Sequence, residues 1–140
     1  MNGNAIPVLV LATSKAWLSA IEREFPAPML IWALDENDLL AEAIQYPDSA
    51  IIVECSATPD ATEAKWLKLV LEHRRRLFVV AGIQQSTQAE RLRALGVADV
   101  IVAISESSRL HTLIRRHNAL APEQDLSLEQ QIEAALPWRA

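Results

Sequence analysis

The sequence predicts one α/β domain, with helices wound on both faces of a five-stranded parallel sheet, and three observations carry the prediction. Apolar runs of strand length alternate with segments of helical period five times over, the pattern of successive βαβ units. The third and fifth runs, "AIIVEC" and "VIVAI", are nearly continuous in apolar character, as strands covered on both faces are. With 140 residues, 51% of them hydrophobic, 22% charged and only 3 Gly, the chain has a globular composition. That length is enough to bury about two thirds of the unfolded surface in one core.

The first strand is expected over 7–12. It leads into a helix that Thr13 or Ser14 can cap, with Trp17, Ile21 and Phe25 on one face and Pro26 as its stop. The second strand covers 29–34. Asp35 or Asn37 caps the helix after it, whose Leu40, Ala43 and Ile44 face inward until Pro47. The third strand, 50–55, precedes a helix that starts near Asp60 or Thr62 and buries Leu67, Val70 and Leu71. After the fourth strand, 77–83, a helix starts near Ser86 or Thr87 and buries Leu92 and Leu95. It ends at Gly96, where a left-handed residue is cheapest. The fifth strand, 100–104, runs into Ser105, Ser107 and Ser108, which open a helix burying Leu110, Leu113 and Ile114. These units form one domain over 1–121. The remainder, 122–140, is an extension with a capping-box pair, Ser127 and Gln130. Its stripe of Leu128, Ile132 and Leu136 predicts a short helix over 128–136, packed on the domain or on a partner.

Charge and composition exclude several roles. A net charge of −5 with acids and bases interleaved disfavours an electrostatic nucleic-acid binder. The N-terminal apolar run lacks a basic flank and stops after about seven residues, so neither a secretion signal nor a membrane span is expected. A single cysteine allows no internal disulfide and suits a reducing cytoplasm. The run "HRRR", His73 to Arg76, ends a predicted helix, where positive charge complements the dipole. His111 and His117 are six residues apart, which spoils a metal pair on one helix face, so all three histidines are expected in surface or partner contacts. Trp17 has core spacing and Trp32 lies within a strand, whereas Trp138, near the C-terminus, is a candidate for partner contact.

Open α/β sheets place their sites at the carboxyl ends of strands, which draws attention to Glu54 and Cys55. No cation lies within four residues of Cys55 and an acid adjoins it, so a small buried thiol is expected rather than thiol chemistry. Glu54 is expected either on the rim or as a structural hydrogen-bond acceptor, ahead of a catalytic acid.

Two longer stretches, "LDENDLLAEAIQYPDSAIIVECSATP" and "AERLRALGVADVIV", occur in the order and spacing of the receiver domain of two-component response regulators. Over about 6–121 the chain resembles that family. The resemblance implies a flavodoxin-like sheet of order 2-1-3-4-5 with a site above the first and third strands. In receivers an acidic pair after the first strand holds Mg²⁺, and here those places carry Ala12 and Thr13. Counting back four residues from Pro59 puts Cys55 at the phosphate-accepting position. The hydroxyl residue after the fourth strand falls at Ala81 or Gly82, and the lysine that ends the fifth strand at Ala103. The chain therefore looks like a pseudo-receiver, with no phosphoryl transfer, metal or cofactor expected.

Receivers commonly dimerise or signal through the face of the fourth helix, fifth strand and fifth helix. Here that face would offer Arg91, Arg93, Arg109, His111, Arg115 and Arg116 to an acidic protein partner or a second copy of the chain. The alternative is a flavodoxin-like domain that binds a small ligand or cofactor in the strand-end crevice. Against it, the loop "ATSKAW" has no glycine with which to wrap a phosphate.

Overall fold

The computed structural model describes residues 6–55, 70–82 and 86–125. The strands are β1 (Val8–Leu11), β2 (Leu30–Trp32), β3 (Ile51–Glu54), β4 (Leu77–Val80) and β5 (Asp99–Ile101). Helices α1 (Lys15–Glu24), α2 (Glu36–Gln45), α4 (Ser86–Ala94) and α5 (Ser107–Asp125) alternate with them, and residues 70–73 are helical (α3). All strand pairs are parallel and the order is β2-β1-β3-β4-β5, a flavodoxin-like α/β fold. The strands are shorter than expected. The start of the second and the end of the fifth give way to 3₁₀ turns at Ala27–Met29 and Ile104–Glu106.

Strand alternation sends successive side chains to two apolar layers. Val8, Val10, Ile52, Phe78, Val80 and Ile101 meet Trp17, Ile21 and Phe25 of the α1 segment and Leu110 and Ile114 of α5. Leu9, Leu11, Ile51, Val53, Leu77 and Val79 meet Leu39 and Ala43 of α2, Val70, and Ala89 and Leu92 of α4. The expected phase of two helices is corrected here. In α2 the buried stripe is Leu39 and Ala43, while Ile44 is 77% exposed. Leu71 is 49% exposed although its neighbour Val70 is fully buried. Trp17 is buried, and Trp32 sits partly exposed on the edge strand β2.

Local chemistry explains the element ends. Ser14 Oγ accepts from Trp17 N–H at 3.3 Å and Asp35 Oδ1 from Asp38 N–H at 2.8 Å, so these two residues are the caps of α1 and α2. Gly96 closes α4 at φ 93°, a conformation other residues rarely adopt. The expected boundary after Ala121 falls inside α5, which runs on to Asp125 through Pro122 and so forgoes the bond to Asn118 O. The expected helix over 128–136 and Trp138 lie outside the described residues, as do Leu67 and the predicted start of the third helix. No helix among the described residues is long and apolar enough to cross a membrane.

Candidate functional site

The register brings the carboxyl ends of the four inner and edge strands level: Leu11 pairs with Val53, Glu54 with Val80, and Val80 with Ile101. The positions singled out by the receiver resemblance therefore share one edge of the sheet. Ala12 and Thr13 follow β1, Cys55 follows β3, Ala81 follows β4, and Ala103 stands two residues after β5. Cys55 and Ala81 are buried, Ala12 and Ala103 half-buried, and Thr13 exposed.

Glu54 and Cys55 are adjacent in sequence but belong to opposite layers. Cys55 follows Ile51 and Val53 into the layer of α2 and α4, where it is 1% exposed. Burial, and then the charge of Glu54, push its thiol up to about 11. At neutral pH it is a protonated packing group, as the apolar sequence context indicates.

Glu54 follows Ala50 and Ile52 toward the other layer and is 2% exposed. Its Oε1 accepts both the Thr13 N–H and the Ser14 N–H, each at 2.9 Å. Both donors precede the first turn of α1, where the helix dipole is positive and backbone N–H groups lack intrahelical partners. Of the two roles expected for Glu54, the structural acceptor is the one realised. Because β1 and β3 are neighbours, the carboxylate on one caps the helix that follows the other. This is also the place where an α/β sheet would receive a phosphate. Here a protein carboxylate fills it.

The cationic residues divide into two groups. Arg109 Nη2 lies 2.7 Å from Asp99 Oδ2 on β5, and Arg93 donates to Val100 O at 3.3 Å, so α4 and α5 both reach the β5 edge. Arg91 and Arg116 are exposed with no ion pair among the described residues, and Arg116 is seven residues from Arg109, on the same side of α5. His111 leaves this face: its ring packs at 5.6 Å from that of Phe25, after α1, and Arg115 lies one turn further along that side.

The other two histidines are half-buried at the surface and each is also bonded within the chain. His117 Nε2 lies 2.9 Å from Asp48 O, so it must be the donor, and its ring stands edge-on to Phe78. Arg76 Nη2 donates to His73 Nδ1 at 2.8 Å, which leaves the His73 proton on Nε2 because a guanidinium cannot accept. No local signal around the "HRRR" run points to the role of Arg76. It is 7% exposed and donates to Ala43 O, Tyr46 O and Ser49 O at 2.7–2.9 Å. The charge complements the C-terminus of α2, not that of the segment carrying the "HRRR" run.

Among the described residues no group of three or more His, Cys, Asp or Glu side chains is placed to hold a metal ion. No protein-family model matches the chain, and no curated protein matches it.

Proposed function

We propose that the chain is a phosphorylation-independent, receiver-like module of cytoplasmic signalling that acts by binding another protein and catalyses no reaction. The observation that carries this reading is the Glu54 carboxylate on the Thr13 and Ser14 N–H groups. An anion built into the chain occupies the start of α1, and the surrounding positions carry Ala12, Thr13, Cys55, Ala81 and Ala103. Phosphoryl transfer works by positioning and charge neutralisation, and these side chains supply neither a metal-binding pair nor a lysine. The same carboxylate disfavours the flavodoxin-like alternative, since it would repel a cofactor phosphate from the crevice.

The output surface is the β5 edge with its flanking helices, where Arg91, Arg93, Arg109 and Arg116 present cations to an acidic partner or a second copy of the chain. The reading is tested by incubating the protein with Mg²⁺ and acetyl phosphate and measuring the intact mass. No phosphoryl adduct is expected, and Mg²⁺ should leave the melting temperature unchanged. A stoichiometric phosphoryl gain mapping to Glu54 or another residue of this edge would overturn it.

A further inference from the structure

At the opposite, amino-terminal edge of the sheet lies a cavity of about 610 Å³, walled by the loop before β3, the segment before β4, and α5. That volume falls within the range of small-molecule sites. Its wall includes His73, Arg74, Arg75, Arg76 and His117, against two carboxylates, Asp48 and Glu72. Among the described residues of the wall, three guanidinium groups stand against two carboxylates, an excess of positive charge on a chain whose net charge is −5.

The three arginines have different tasks. Arg76 is turned inward, and four of its N–H donors go to Ala43 O, Tyr46 O, Ser49 O and His73 Nδ1. Its bond to His73 orients that ring and puts the remaining proton on Nε2, a hydrogen-bond donor on a residue of the wall. Arg74 and Arg75 are exposed, and neither has an ion pair among the described residues. The Arg74 stem lies across Gly96, with Cδ 3.4 Å from where a Cβ there would be, so part of its position is defined by packing. Two further buried polar atoms lack a hydrogen-bond partner among the described residues, Ser49 Oγ and Asn118 Oδ1, and they adjoin Asp48 and His117 in sequence.

We propose that this cavity binds a small oxyanion, a phosphoryl- or carboxylate-bearing metabolite, with Arg74 and Arg75 as its charge partners and His73 Nε2–H as a further donor. Guanidinium groups match such oxygens in bidentate geometry, and a buried Arg76 network gives the wall a fixed frame. The site is independent of the signalling face at β5 and of the capped carboxyl edge.

The test is calorimetric titration of the full chain with pyrophosphate and, separately, with citrate, in phosphate-free buffer at low salt. Saturable binding of one equivalent of either anion is expected, and the stronger of the two assigns the phosphoryl or the carboxylate class. Replacing both Arg74 and Arg75 by Ala should weaken it by about tenfold or more, while the double Lys variant retains part of the affinity. Arg91→Ala and Arg116→Ala, at the other surface, should leave it unchanged. Both cavity substitutions are at exposed residues, and an unchanged denaturation midpoint confirms that the fold persists. A response that never saturates, or equal affinity in the double Ala variant, would overturn the proposal. So would salt-dependent binding of an oligonucleotide through these arginines without saturation by either small anion.

Discussion

Removing the Glu54 carboxylate is the most direct perturbation of the capped edge. Glu54→Ala leaves the Thr13 and Ser14 N–H groups without their acceptor, which costs at most about 1–3 kcal/mol for a donor shut off from water. Loss of the anion at the start of α1 adds about 0.3–1 kcal/mol. Both donors share one oxygen and are only part-buried, and relief of a buried charge offsets some of the loss, so the net expectation is about 2–4 kcal/mol. For a chain of this size that corresponds to a fall in melting temperature of about 8–16 °C. Glu54→Gln keeps an oxygen that can accept both bonds and loses only the charge, so it should cost about 1 kcal/mol. Urea denaturation followed by tryptophan fluorescence measures both values. Amide resonances of Thr13 and Ser14 report whether their bonds persist in the Gln variant. A Glu54→Ala protein within about 0.5 kcal/mol of the wild type would refute the reasoning, because surface-like substitutions fall in that range.

Two other outcomes follow from the same structure. Cys55, with its thiol pushed up to about 11 and the side chain 1% exposed, should react with a disulfide reagent at pH 8 far more slowly in the native protein than in urea. Equal rates in the two states would contradict its burial. His73 is held below its ordinary value near 6.5, by burial first and then by the Arg76 charge. The unfolded chain thus binds the proton more readily, and this contribution to stability is present above about pH 6.5 and is lost as pH falls through the lower folded value. His73→Asn retains an acceptor for Arg76 but does not titrate, so its stability between pH 7 and 5 should decline less than that of the wild type. Parallel declines would rule the histidine out as the source.

Local signals in the sequence were sufficient for the order of the described strands and helices and insufficient for the long-range polar contacts. Ser14, Asp35 and Gly96 act within a turn of their own position, and each does what its residue type indicates. The phase of α2 was ambiguous because Leu39, Leu40, Ala41, Ala43 and Ile44 make that segment apolar on more than one side, and packing on the sheet selected Leu39 and Ala43. For Arg76, the partners Ala43, Tyr46 and Ser49 lie about thirty residues away, across a strand and a helix, so a window around "HRRR" holds no trace of them. Glu54 is an intermediate case. The strand end marked it as unusual, but only the pairing of β1 with β3 brings its oxygen to Thr13 and Ser14, forty-one and forty residues away.

Glu54 and Arg76 solve the same problem at the two ends of the sheet. A buried helix start leaves N–H groups without partners and a buried helix end leaves carbonyls, and each is best met by a charge of opposite sign. Glu54 meets the first at α1 and Arg76 the second at α2, each from a residue adjoining or within a neighbouring strand. What distinguishes the edges is the charge left over. Beside Glu54 stand Ala12, Ala81, Ala103 and a protonated thiol, none of which attracts an anion or a metal ion, and a phosphate arriving at α1 would have to displace a carboxylate covalently tethered there. Beside Arg76 stand Arg74 and Arg75, exposed and without ion pairs among the described residues, on the wall of a cavity. The carboxyl edge therefore presents its own carboxylate at the helix start, and the proposed anion site lies at the opposite edge, where Arg74 and Arg75 carry no ion pair among the described residues.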